Sequence, residues 1–257
     1  MPGAVLLLLG ALPEFAAALA LLICASAVGS TAVVPPSRSP GPPRPVEGRS
    51  AALHAAPKPH IVPRTAWKDD GAKGQPPPRY DDKVVAVFVH HTDSPNQYDC
   101  ADVPRIIRAL YAGQIGNRRW DDIGYNFLVD RCGTIYEGRA GGIERAVTGA
   151  HTQGFNHRTS GIAAIGTFME GTTVPKAMTD AIAALAAWKL GLADIDPRAR
   201  VRLVSSNGLS RYKAGTTALL PTLAGHNDGY MTNCPGAALT ALLPDIRAKA
   251  AHLQGRR

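Results

Sequence analysis

Six consecutive apolar residues, Val84-Val85-Ala86-Val87-Phe88-Val89, run directly into two histidines, His90 and His91. A run this short, rich in β-branched side chains and lacking polar alternation, reads as a strand covered on both faces. Such strands belong to sheets with helices on either side, so the run pulls the chain towards an α/β fold. It also sets two imidazoles at a strand end. The surrounding pattern agrees. Asp102 to Gly116 carries Val103, Ile106, Ile107, Leu110 and Tyr111 on one helical face. Tyr125 to Arg131 and Thr134 to Glu137 flank Cys132-Gly133 as the arms of a hairpin would. Gly161 to Phe168 reads as another buried strand, and Ala177 to Leu190 as an Ala-rich helix with Met178, Ile182 and Leu185 inward. A last helix groups Leu239, Leu242, Leu243, Ile246 and Leu253, with Pro244 expected to kink or split it. The expectation is a central mixed β-sheet flanked by α-helices, in a single globular domain. From Ala193 to Leu220 the sequence suggests only surface elaboration, with a turn between Gly208 and Gly215.

The first quarter of the 257 residues reads differently. Residues 4–28 are almost entirely apolar, and Phe15 to Val28 has the length of a signal-peptide core, short for a membrane span. Small residues follow it, but no Lys or Arg precedes it, so residues 1–31 are expected to be a signal peptide or an N-terminal membrane segment. Residues 32–59 hold Pro35, Pro36, Pro40, Pro42, Pro43 and Pro45 and read as a Pro-rich disordered linker. The folded unit is then 60–257. The formal charge of +8 favours a polyanionic partner. With 6% aromatics and no basic run interleaved with them, nucleic acid is not expected, and an anionic cell wall fits better.

Cys100, Cys132 and Cys234 remain beyond the apolar segment. Two can pair in an oxidising compartment, leaving one for other work. Cys234 lies eight residues after His226 in one loop, and a thiolate and an imidazole so placed can converge on zinc. His90, at the end of a buried strand, is the natural third donor. Three protein ligands and an open position describe a catalytic zinc rather than a structural one. Spacing alone leaves other readings open. A histidine at a strand end is more often a hydrogen-bonded core residue, and Cys234 can instead pair with Cys100 or Cys132.

A set of short motifs in fixed order adds to this reading. Val89-His90-His91-Thr92, Trp120 to Val129, Ile135 to Arg139, Gly149-Ala150-His151-Thr152, and Gly225-His226 through Cys234-Pro235-Gly236 together resemble the peptidoglycan recognition proteins. They also resemble the phage lysozyme-type N-acetylmuramoyl-L-alanine amidases. Arg64-Thr65-Ala66-Trp67 looks like the opening segment of that family, and the likeness runs from about Ile61 to Leu253. The resemblance implies Zn2+ held by His90, His226 and Cys234, a catalytic Tyr125, and Thr232 near the oxyanion. It implies a substrate groove lined by Arg139, His151, Thr152 and Asn156, and a Cys100–Cys132 disulfide. The implied activity is hydrolysis of the amide between the muramoyl lactyl group and L-alanine of peptidoglycan. The implied setting is a monomeric bacterial protein, secreted or cell-wall associated. Asn227 departs from the arginine common after the ligand histidine, and Tyr230 and Met231 give this loop an apolar tip. Some family members bind the wall without cutting it, generally having lost the ligand cysteine. Cys234 and Tyr125 are both present here.

Overall fold

The apolar run becomes an interior strand of the sheet. The computed structural model describes residues 53–68 and 75–257. Its main sheet contains β1 (Ile61–Val62), β2 (Ala86–His91), β3 (Phe127–Val129), β4 (Ile135–Glu137), β5 (Thr159–Ala164) and β8 (Leu223–Gly225), in spatial order β1-β4-β3-β5-β2-β8. Only β3 and β4 pair antiparallel, across the turn at Cys132-Gly133; the other pairs are parallel. β2 lies between β5 and β8, and all six of its residues are buried, which is why its sequence shows no polar alternation.

Strand parity sorts the core into layers. Val87 and Val89 face α2 (Lys176–Gly191) and α4 (Ala237–Leu253), in a cluster with Ile162, Met178, Ile182, Leu239 and Leu243. On the other face α1 (Val103–Ala112) packs Val103, Ile107 and Tyr111 against Leu128 and Ala163, with Trp67 beneath. Beside it, Ala86 and Phe88 meet Phe155, Leu203, Ala218 and Leu220. The last three belong to a separate antiparallel hairpin, β6 (Arg200–Val204) and β7 (Thr217–Pro221). His90 shares the parity of Phe88, and so points between α1 and this hairpin.

Several details differ from the sequence reading. The strand expected at Gly161–Phe168 is shifted towards the N-terminus, because Thr159 and Ser160 pair with β2 while Gly166, at φ 136°, lies beyond its end. α4 runs unbroken through Pro244: the ring removes one helical hydrogen bond, while Leu239, Leu243 and Ile246 stay packed in the core. Leu253, at the end of that helix, is 37% exposed rather than inward. The stretch read as surface elaboration is the β6–β7 hairpin. Residues at the end of the expected tether lie along the domain, with His54 bonded to Asp194 (3.1 Å) and Ala56 packed on the core. The apolar N-terminal segment and most of the Pro-rich stretch lie outside the described residues. No described helix is long and apolar enough to cross a membrane.

Candidate functional site

Parallel pairing of β2 with β8 aligns Val89 with Gly225, so the next residues, His90 and His226, emerge side by side at the C-terminal ends of neighbouring strands. Their ring centroids are 4.3 Å apart. His226 opens the single turn α3 (His226–Gly229), whose entry is fixed by the Gly225 N–H donating to the Asp228 carboxylate at 2.8 Å. The chain then loops back. Asn227 donates its N–H to Cys234 O (3.0 Å), and Cys234 donates its own to Thr232 Oγ1 (3.1 Å). This brings the Cys234 sulfur to 3.9 Å from His90 Nδ1, where it accepts the His91 N–H at 3.2 Å. One ligating atom from each of His90, His226 and Cys234 falls within 4.8 Å of the others.

The far nitrogen of His90 is also engaged. Its Nε2 lies 3.2 Å from His151 Nδ1, which in turn lies 3.0 Å from Thr152 Oγ1. The His151 ring occupies space that only glycine leaves open: a Cβ on Gly161 would sit 2.5 Å from its Cγ. Asn156 Oδ1 accepts the N–H groups of both His151 and Thr152 at 2.8 Å, holding the turn that carries them. His151 and Asn156 also line an open cleft of about 410 Å³ with Arg118, Trp120, Tyr125, Gln153, His226 and Tyr230. Thr152 is fully buried behind His151 and does not line that cleft. Arg139 borders a neighbouring pocket of about 200 Å³ that shares Ala150 with the cleft, and donates from Nη1 to Ile123 O (3.1 Å).

Tyr125 stands over the histidines, its ring centroid 5.2 Å from that of His90. The preceding residue is pinned from two sides. Gly124 donates to Gln114 Oε1 (2.8 Å) and accepts from Ala150 N (2.9 Å). Gln114 is delivered by a π-helical turn, Gly113–Asn117, that continues α1. Arg64 closes the same region by pairing with Asp122 at 2.6 Å and donating to Gly138 O, which gives the Arg64–Trp67 opening segment a structural role. Arg118, Gln153 and Tyr230 line the cleft although the sequence reading assigned them no role. Only Tyr230 carried a signal, as part of the apolar loop tip.

Burial sets the charge states. It holds His90 well below the ordinary histidine value, aided by His226 and His151. It lowers His151 to about 3 and His226 to about 4. The Cys234 thiol is pushed up to about 12 and the Tyr125 phenol is raised, both chiefly by burial. Left to themselves these groups are neutral near pH 7.

The sequence matches the model of Amidase_2, N-acetylmuramoyl-L-alanine amidase, over residues 80–237, the span that carries His90, Tyr125, His151, His226 and Cys234. The chain belongs to this family. A peptidoglycan-recognition protein of Drosophila simulans is 33% identical over 182 residues, covering 70% of this chain and 82% of that protein. N-acetylmuramoyl-L-alanine amidase of Mus musculus is 31% identical over 192 residues, 72% of this chain. The matched region spans only 30% of the mouse protein's length, and likewise 30% of peptidoglycan-recognition protein LE of Drosophila melanogaster. Among solved structures, Drosophila PGRP-LB superposes with a TM-score of 0.54 at 28% identity, over 71% of this chain and 91% of that one. PGRP-LE in complex with tracheal cytotoxin, a monomeric diaminopimelic acid-type peptidoglycan, gives 0.55 at 28% identity, over 72% and 92%. These neighbours share the mixed sheet with flanking helices described above. The Cys100–Cys132 disulfide is formed, joining the start of α1 to the β3–β4 turn.

Proposed function

We propose that this protein is a zinc-dependent N-acetylmuramoyl-L-alanine amidase, secreted or wall-associated, that splits the lactyl–L-alanine amide of peptidoglycan. The observation that carries the reading is the convergence of His90, His226 and Cys234, with His226 and Tyr125 both lining an open cleft and Tyr125 beside His90. The donor set fits zinc. Tetrahedral bonds of about 2.0–2.3 Å put ligand atoms about 3.5 Å apart, a small contraction from the 4.8 Å limit within which the three atoms lie. Three protein ligands leave a position open, as catalytic sites do. Zinc bound there supplies Lewis acidity, polarising the amide carbonyl and acidifying water.

The protein's own groups do the rest. With Nδ1 turned to the ligand cluster, the Nε2–H of His90 donates to His151 Nδ1, which can accept because burial keeps His151 neutral. Tyr125 is protonated at neutral pH, as an ordinary phenol is, and burial raises its phenol further, so it is a hydrogen-bond donor suited to a developing oxyanion. Thr232 holds the Cys234 loop through the Cys234 N–H, leaving its own hydroxyl hydrogen free to serve the same oxygen. Asn156 and His151 form one wall for the stem, and Arg139 is a cation near it that can clamp a carboxylate. The Cys100–Cys132 disulfide suits an oxidising compartment outside the cytosol.

The test is release of free stem peptides from purified peptidoglycan by the zinc-loaded protein, beside Tyr125→Phe. The wild type is expected to release stems, and loss of one oxyanion donor to cost about 10²–10³ in turnover with zinc retained. A wild-type protein that holds zinc and binds wall material yet frees no stems is a recognition module, and the enzyme reading then fails.

A further inference from the structure

The β6–β7 hairpin covers part of the sheet, but its loop, residues 205–216, does not hang free. It is fastened to both turns that frame the cleft. On one side Ser206 donates its N–H (2.9 Å) and its hydroxyl (3.2 Å) to Gly154 O. Gly154 has φ 91°, and a Cβ there would sit 2.6 Å from Ser210 Cβ, so loop and turn are in direct contact. Tyr212 meets the edge of Phe155 in the same turn at 5.7 Å. On the other side Arg211 donates its N–H to Gly229 O and its Nε–H to Asn227 O, each at 3.0 Å.

The loop is internally braced between these anchors. Ser205 and Ser210 are 1% and 4% exposed, their hydroxyl oxygens are 2.9 Å apart, and both donate to Tyr212 O. What it grips is weak on its own. α3 is a single turn of four residues, too short to persist by its own hydrogen bonds, and its terminal carbonyls have no helical partners. The Arg211 donors fall on two of those carbonyls. His226 is the first residue of that turn.

We propose that Arg211 is a positioning residue for His226: its side chain, by capping Asn227 O beside the backbone bond to Gly229 O, lets the hairpin loop fix α3 against the His151 turn, and with it the geometry of the His90–His226–Cys234 centre. This rests on the reading of that centre as a zinc site. Arg211 is exposed, and one exposed hydrogen bond adds little to global stability. Its effect is therefore concentrated in the site.

The experiment measures zinc affinity by competition with a chromogenic chelator for the full-length wild type, Arg211→Ala and Arg211→Lys, beside thermal unfolding of each metal-free protein. Arg211→Ala is expected to weaken zinc about tenfold, the lower end of what a partner outside the ligand set contributes. Both variants keep the backbone bond to Gly229 O; Arg211→Lys recovers part of the loss, since an ammonium can reach Asn227 O without the planar geometry of the guanidinium, and all three metal-free proteins melt alike. Unchanged zinc affinity in Arg211→Ala overturns the proposal. So does a loss matched by a fall in metal-free melting temperature without lysine rescue, which marks a general structural role. A wild type that binds no zinc removes the metal centre itself, and this proposal with it.

Discussion

Among the described residues two groups of donor atoms converge, and they end up in opposite chemical conditions. Cys100, Asp130 and Cys132 bring ligating atoms within 4.8 Å of one another, as do His90, His226 and Cys234. In the first group the sulfurs are bonded to each other. Asp130 accepts from the Cys132 and Thr134 N–H groups and from the Tyr136 hydroxyl, so its oxygens are already occupied. In the second group the thiol is free and buried, and its near neighbours are imidazoles held neutral by burial. Proximity does not make a metal site; unspent lone pairs do. The first group is a staple between α1 and the β3–β4 turn, and the second is the donor set of the proposed zinc site.

That contrast can be broken at either end. The larger effect is expected from the staple. Replacing Cys100 and Cys132 together by alanine should cost about 2–4 kcal/mol of unfolding free energy in a denaturant titration, because the cross-link no longer restricts the unfolded chain. Zinc content and stem release should survive in the folded fraction. If zinc is lost with the disulfide while the protein stays folded, the two groups are not independent and the comparison fails.

A smaller effect sharpens the other side. In the metal-free protein His226 and His151 titrate at about 4 and about 3, below the ordinary 6.5, so between those values the unfolded chain binds more protons than the folded one. Their contribution to stability is whole above pH 6.5 and is lost as the pH falls towards about 4 for His226 and about 3 for His151. Denaturant midpoints of the metal-free protein should fall over that window, and fall less in His226→Gln. The doubly alanine-substituted protein should show the wild-type pH slope at a lower level. An equal pH slope in wild type and His226→Gln would mean that the imidazole is not held neutral by burial.

Much of this was legible in the residues, and the parts that were not have physical reasons. The run Val84–Val89 announced a strand covered on both faces, and the β3–β4 hairpin and the helices showed in periodicity and turn residues. Spacing could not decide what Cys234 does, because a cysteine eight residues from a histidine pairs with sulfur as readily as it binds metal. The parallel register that sets His90 beside His226 is a tertiary fact. The β6–β7 hairpin was missed because Arg200 and Arg202 put charge on its solvent face, and few residues, Val201, Leu203, Ala218 and Leu220, mark its inner one. Thr152 and Asn156 were both expected to line the groove, Asn156 with a solvated surface position as the stronger alternative. The fold buries the first behind His151 and sets the second at the cleft wall, a separation of four residues resolved only by the turn between them.

The most direct test of the zinc centre is X-ray absorption at the zinc edge on the purified protein, with metal content measured in parallel for Cys234→Ser. The account predicts about one zinc per chain, with two nitrogen neighbours at about 2.0–2.1 Å and one sulfur at about 2.3 Å. The serine variant should lack the sulfur shell and most of the metal. Zinc without a sulfur neighbour, or equal zinc in both proteins, would contradict it.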